Sequence, residues 1–298
     1  MRIPDFFIVG APKSGTTAMC AYLRQHPEIF MPGKKESHFF GTDLNSPRFI
    51  RDREIYLSLF SWAKDEKRVG ESSVWYLYSK KAASEIKEFS PSASIIIMLR
   101  NPVDMLYSQH SQFLYNGNED IACFEEAINA EDDRKRGLRI PPGVHFIESL
   151  FYRETVKYTE QVRRYYDVFG RENVHVIIYD DFKMDTVNVY RENLRFLGVR
   201  GDFQPEFRTI NPNKRVRSNI LRNLLQNPPQ IVRVLGKFFM THTLHQRFVK
   251  KLTSFNMKYE TRPPMGTELR KRLQAEFALE IEQLSELLRR DLTHWCKT

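Results

Sequence analysis

Four apolar residues in a row, Phe6-Phe7-Ile8-Val9, lead into Gly10-Ala-Pro-Lys13-Ser-Gly15, and Thr17–Arg24 follows with Met19, Tyr22 and Leu23 on one helical face. An unbroken apolar run predicts a strand covered on both sides, and the two glycines predict a turn into the helix. Ser94–Leu99 (SIIIML) predicts a second buried strand, rich in β-branched residues. It stops at Asn101-Pro102, where Asn serves as a cap and Pro fits the first turn of a helix predicted over Val103–Leu114. Asn173–Tyr179 (NVHVIIY) predicts a third strand, between helices over Arg153–Phe169 and Asp185–Leu197. Near the C-terminus, Leu269, Leu273, Phe277, Ile281, Leu284, Leu288 and Leu292 recur every three or four positions, so one long helix with one buried face is predicted. Strands alternating with helices predict an α/β fold: a parallel β-sheet flanked by helices on both faces, with a mainly helical C-terminal part.

The 298 residues, 41% hydrophobic and 13% aromatic, suffice for a folded core and exclude a disordered chain. No apolar run reaches the length of a membrane span, so a transmembrane protein is not expected. The opening MRIPDFFIVGAPKSG does not read as a secretory leader, so none is expected, and Cys20, Cys123 and Cys296 lie too far apart for a disulfide framework or a cysteine-based zinc site. A reducing, cytoplasmic setting is the expectation. The net charge of +9 is unevenly placed. From Asn213 to Lys258 there are ten Lys or Arg and no Asp or Glu, so the remaining residues sum to −1.

Gly10-Ala-Pro-Lys13-Ser14-Gly15-Thr16-Thr17, between strand and helix, reads as an anion-binding loop of the P-loop type. Small residues there let backbone N–H groups point into one concavity, beside the positive end of a helix. A Mg-ATP loop requires Lys-Ser/Thr directly after the second glycine; here Thr16 follows it and the lysine stands in mid-loop at Lys13. On these residues alone, a nucleotide kinase, a non-catalytic nucleotide-binding module and a glycine turn without a ligand remain open.

Taken with Ile95-Ile-Ile-Met-Leu-Arg100-Asn-Pro102-Val-Asp-Met-Leu-Tyr107-Ser108, the loop resembles the 5′-phosphosulfate loop of sulfotransferases that use 3′-phosphoadenylyl sulfate. The resemblance runs from Phe6 to the C-terminus. It implies that Lys13, Ser14, Gly15, Thr16 and Thr17 hold the 5′-phosphosulfate and that Arg100 and Ser108 grip the 3′-phosphate. Lys34-Lys35-Glu36-Ser37-His38-Phe39-Phe40 is similar to the Lys-Glu-x-His-Phe-Phe segment of the heparan-type and related bacterial branch, which implies that Glu36 is the general base. His38 either orients Glu36, lines the acceptor pocket or simply packs.

The implied reaction moves a sulfuryl group in line from the phosphosulfate to an acceptor hydroxyl, leaving adenosine 3′,5′-bisphosphate. Positioning and charge stabilisation dominate such a transfer. A carboxylate takes the hydroxyl proton, Lys13 stabilises the leaving phosphate, and no metal is expected. Gly70-Glu71-Ser72-Ser73-Val74-Trp75-Tyr76 departs from the Gly-Glu-Lys-[Ser/Thr]-Pro of heparan-modifying enzymes by placing Ser72 where an active-site lysine stands. That argues against a polyanionic glycan acceptor. Trp75 and Tyr76 either flank an acceptor or belong to the core.

Asn213-Lys-Arg215-Val-Arg217-Ser218 resembles a basic loop that closes over the 3′-phosphate in related bacterial enzymes, which implies donor contacts for Arg215 and Arg217. Ile220–Lys258 mixes cations with apolar residues and reads as a solvated helical lid, a docking face for an acidic protein or substrate, or a membrane-surface element. Nucleic acid is not expected as a partner. The organisation expected is one domain: residues 1–212 as nucleotide-binding core, 213–260 as a basic lid or insert, and 261–298 as a C-terminal helix packed on the core. Segments Glu119–Gly143 and Val144–Phe151 are placed to shape an acceptor cleft, and a small molecule, sugar, lipid or carrier-bound hydroxyl all fit as acceptor.

Overall fold

The structure is a computed structural model describing residues 2–208, 214–218, 221, 251–252, 255–260 and 262–297. Most of Ile220–Lys258, including the predicted lid, lies outside the described residues. The chain packs as two compact units, one of Met1–Ser108, His145–Asn211 and Met265–Thr298, the other of Gln109–Val144 and Pro212–Pro264.

The first unit is built on β1 (Phe6–Gly10), α1 (Thr16–Leu23), β2 (Ile29–Phe30), α2 (Arg53–Ser58), β3 (Arg68–Ser72), α3 (Ala82–Phe89), β4 (Ser94–Leu99) and the start of α4 (Pro102–Asn116). Its five strands, completed by β5 (Val174–Ile178), are all parallel in the order β2-β3-β1-β4-β5. Every residue of β1 is buried, and so is β4 from Ile95 to Leu99. Burying each large side chain contributes about 1.5–3 kcal/mol. Side chains alternate across the sheet: Phe6, Ile8, Ile96 and Met98 pack with Met19, Tyr22 and Leu23 of α1. On the opposite side, Phe7 meets Phe40, which packs in turn on Tyr56 of α2 and Phe89 of α3.

Two strands escape the apolar-run criterion. β2 has only two residues, and β3 reads Arg-Val-Gly-Glu-Ser, with Glu71 and Ser72 buried despite their polarity. Gly70 is required at the β3–β1 contact, because a Cβ there would lie 2.1 Å from Phe6 Cζ and 2.3 Å from Met31 Sδ.

The later helices are α5 (Phe124–Asn129) and α6 (Glu131–Lys135) in the second unit, then α7 (Tyr152–Thr155), α8 (Tyr158–Phe169), α9 (Tyr179–Met184), α10 (Thr186–Phe196), α11 (Thr267–Glu276) and α12 (Ala278–Leu288) in the first. The predicted helix over Arg153–Phe169 is thus two, separated at Val156-Lys157. The predicted long C-terminal helix is also two: Phe277, at φ −92° and ψ 3°, interrupts it, and Arg289 ends α12 in the left-handed region at φ 53°. The apolar seam survives the break, with Leu273, Phe277, Ile281, Leu284 and Leu292 all buried. Beyond it, the carbonyl of Trp295 accepts from Asn101 Nδ2 and Gln274 Nε2, both at 3.2 Å, and Trp295 Nε1 donates to Asp180 at 2.7 Å. This fastens the C-terminal segment to the turn after β4.

The second unit includes a two-stranded antiparallel ribbon, β6 (Lys214–Val216) with β7 (Met257–Tyr259). Its 117–140 region is organised by a buried ion pair. Arg134 Nη2 lies 2.7 Å from Glu119 Oε1, neither side chain is exposed, and the same oxygen accepts from the amides of Asp120 and Ile121 at 3.0 Å. Removing one partner leaves the other charge buried without its counter-ion. Arg134→Met is expected to cost about 3–5 kcal/mol in urea unfolding, with a smaller loss in the Glu119→Gln/Arg134→Met pair.

Candidate active site

The loop after β1 is shaped by two conformational demands. Gly10 faces Leu77 Cβ at 2.6 Å and the Val74 carbonyl at 2.8 Å, measured from a Cβ built on it, so a side chain would collide with the turn after β3. Gly15, at φ 90°, precedes the first turn of α1. Lys13 is also in the left-handed region (φ 58°), and buried Ser14 donates to the Pro12 carbonyl at 3.2 Å. A loop of this form, opening onto a helix N-terminus, has the chemistry of an anion cradle.

Arg100, at the end of β4, donates to the Lys13 carbonyl at 3.2 Å and lies over the Tyr179 ring at 4.8 Å. The ends of β1, β4 and β5 therefore converge at the loop, outside the carboxyl edge of the sheet where α/β proteins take ligands. Ser108 is buried on α4. Arg215 and Arg217 belong to the second unit. The side chain of Arg215 lies outside the described residues, whereas Arg217 is exposed, with its guanidinium 5.7 Å from the Phe255 ring centre. Their part in holding a donor is read from the sequence alone.

The segment carrying Glu36 comes to this loop directly. Lys35 Nζ is 3.1 Å from Thr16 Oγ1, 3.2 Å from Thr17 Oγ1 and 3.2 Å from Glu36 Oε1. Glu36 Oε2 in turn meets His38 Nε2 at 2.9 Å. Desolvation works to raise the Glu36 carboxyl, but the charge of Lys35 and the hydrogen bond from His38 outweigh it and hold it down to about 2. The His38 ring stands 4.7 Å from Phe49, and its buried Nδ1 has no hydrogen-bond partner among the described residues. His145 is held neutral: burial first, then the charges of Arg48 and His38, push it down to about 4.

Glu36 and His38 occupy the left-handed region at φ 65° and 48°, a conformation that costs a non-glycine residue about 1–2 kcal/mol. The end of β3 supplies the template that holds them there. The Ser72 carbonyl accepts from Glu36 N (2.9 Å), Ser73 Oγ from His38 N (3.0 Å) and Tyr76 Oη from Phe40 N (3.3 Å). Beneath them, Glu71 Oε1 accepts from Ser37 Oγ (3.0 Å) and Ser73 Oγ (2.6 Å), leaving Tyr76 to donate to Ser37 at 3.2 Å. From the other side, Arg51 donates to the carbonyls of His38, Phe39, Phe40, Gly41 and Leu44. Ser73 N also donates to the Ile8 carbonyl, so one short stretch ties the Glu36 segment to the strand that leads into the anion loop.

Sequence reasoning brought Lys13, Thr16, Thr17, Glu36, His38 and Arg100 to one place. It missed Lys35, Arg51 and Glu71. Lys35 and Glu71 stood inside the two quoted motif segments without a role, and Arg51 looks like an ordinary surface cation. Trp75 and Tyr76 are buried, Trp75 packing on Phe146 at 4.9 Å. Among the described residues, no cluster of His, Cys, Asp and Glu has the arrangement of a metal site, and no helix is long and apolar enough to cross a membrane.

The family model described as "Sulfotransferase domain" matches residues 3–253. A crystal structure of a sulfotransferase from Alicyclobacillus acidocaldarius superposes with a TM-score of 0.74 at 32% identity, covering 99% of both chains. Human carbohydrate sulfotransferase 15 is 31% identical over 172 residues, 42% of this chain and 30% of its own length. The mouse bifunctional heparan sulfate N-deacetylase/N-sulfotransferase 4 is 28% identical over 225 residues, 72% of this chain and 24% of its own length. The chain thus spans less than a third of either of these curated relatives.

Proposed function

The chain belongs to the sulfotransferase family, and from that premise we propose that it transfers the sulfuryl group of 3′-phosphoadenylyl sulfate to an acceptor hydroxyl, with Glu36 as general base. The observation that carries this reading is the Lys35 bridge. One ammonium touches both threonine hydroxyls at the anion loop and the Glu36 carboxylate, so a base stands within one side chain of the place where a phosphosulfate would be held.

In this reading Thr16, Thr17 and the loop amides orient the donor, and Lys13 stabilises the charge that grows on the leaving phosphate. Glu36 takes the proton of the attacking hydroxyl, while His38 holds the other carboxylate oxygen, Oε2, and so orients the group. Arg100 and Ser108 hold the 3′-phosphate. The acceptor is an alcohol, and the names of the curated relatives support a carbohydrate hydroxyl as the first class to try. Cytoplasmic operation fits three cysteines that form no disulfide.

Adenosine 3′,5′-bisphosphate at about 100 times its Kd is expected to stabilise the protein by about 2.7 kcal/mol, read as a rise in thermal midpoint. Stabilisation by Mg-ATP alone would sink the reading. Transfer of labelled sulfate from the donor onto a panel of sugar, lipid and carrier-bound alcohols then identifies the acceptor class.

A further inference from the structure

Lys35 has three protons to donate and three oxygens around them, two from the anion loop and helix start and one from Glu36. Its side chain is only 16% exposed, so water replaces none of these partners easily. An anion that engages Thr16 and Thr17 takes over the hydroxyls that now accept from Lys35 and meets the ammonium at the same point. A multiply charged phosphate competes well with one carboxylate for that ammonium, because charge-assisted hydrogen bonds to phosphate oxygens are strong.

The present pairing makes Glu36 a weak base. A general base works best when its affinity for a proton suits the working pH, and Glu36 is held far below that. Charged and titratable groups facing it are Lys35 beside it, His38 two residues on, and the buried thiol of Cys20 on α1; Glu71 acts on His38 from below. Of these, Lys35 is the one in contact with both Glu36 and the threonine hydroxyls.

We infer that Lys35 is a shared cation of the transfer site: it pairs with Glu36 while the loop holds no anion, and turns to the phosphosulfate of the donor when the loop is filled, freeing the carboxylate to act as base. This rests on the sulfotransferase reading and adds to it a coupling. The base is restrained until the donor is in place, and Lys35 then adds a second positive charge beside Lys13 at the transferring group.

The test is a carboxyl-carbon NMR titration of Glu36, identified by comparison with Glu36→Gln, with and without adenosine 3′,5′-bisphosphate, alongside calorimetric binding of that ligand. In the wild type, binding is expected to raise the Glu36 midpoint by about 1–3 pH units. In Lys35→Met the midpoint is expected to be high already and to move little, with the ligand held about 10- to 100-fold more weakly. Lys35→Arg should keep most of both effects and decides the matter if Lys35→Met fails to fold. Tight binding with an unmoved Glu36, or an equal rise in Lys35→Met, overturns this coupling and leaves the sulfotransferase reading standing. No binding by the wild type removes that reading, and the coupling with it.

Discussion

Glu36→Gln is expected to lower turnover by about 10²- to 10⁴-fold, the usual contribution of a positioned general base. Adenosine 3′,5′-bisphosphate should still bind, and by linkage to the expected rise of the Glu36 midpoint should bind about 10-fold or more tightly, because the neutral amide no longer competes for the Lys35 charge. The amide keeps the size of the side chain and one oxygen for Lys35, so the contact between the Glu36 segment and the anion loop is preserved. What it loses is the ability to accept a proton. A single-turnover assay with pre-bound donor separates the two effects, because binding is complete before transfer begins. Turnover near that of the wild type would mean that another group takes the proton, and His38, in contact with Glu36, would be the next to replace. The same substitution has a readout in stability. The folded carboxyl lies near 2 against an ordinary 4.5, so Glu36 stabilises the fold above about pH 4.5 and that contribution fades as pH falls toward 2. Glu36→Gln should therefore flatten the acid side of the stability profile.

How much of this was readable in advance follows from where the information sits. β1, β4 and β5 were legible because a strand buried on both faces needs an apolar side chain at nearly every position, as Phe6–Val9 and Ile95–Leu99 show. β3 was not, because its buried end is polar: Glu71 is satisfied there by the hydroxyl of Ser73 and by that of Ser37, more than thirty residues away in sequence. The anion loop was legible because glycine spacing is a local demand. The Glu36 segment was recognised through resemblance, yet its left-handed residues and their dependence on β3 and Arg51 were invisible, since no local pattern marks a non-glycine residue at positive φ. Periodicity located the C-terminal seam but overlooked the break at Phe277, because the break preserves the spacing of buried positions.

Glu71→Ala is expected to reduce turnover by about 10²-fold, the scale of loss that follows from misplacing a reacting group by about 1 Å. Glu71 acts through Ser37 and Ser73, which fix the backbone on either side of His38. Without its oxygen both hydroxyls lose a buried acceptor, at about 1–3 kcal/mol each, and the left-handed conformations at Glu36 and His38 lose their support. The Km for donor should change little while kcat falls, since Lys13 and Arg100 reach the anion loop independently. Glu71→Gln distinguishes positioning from a charge effect, because it keeps one acceptor oxygen and cannot ionise; it should recover most of the turnover lost in Glu71→Ala. Burial pushes the Glu71 carboxyl above its ordinary 4.5, outweighing the hydroxyl donors that favour ionisation. A raised folded value means that the wild type is favoured most below pH 4.5 and loses that advantage as pH climbs through the folded value. Glu71→Gln carries no such dependence, so its thermal midpoint relative to the wild type should improve from pH 4 to pH 7. A fixed difference across that range, with turnover unrecovered, would mean that Glu71 is needed as an anion and that the template under the base is electrostatic.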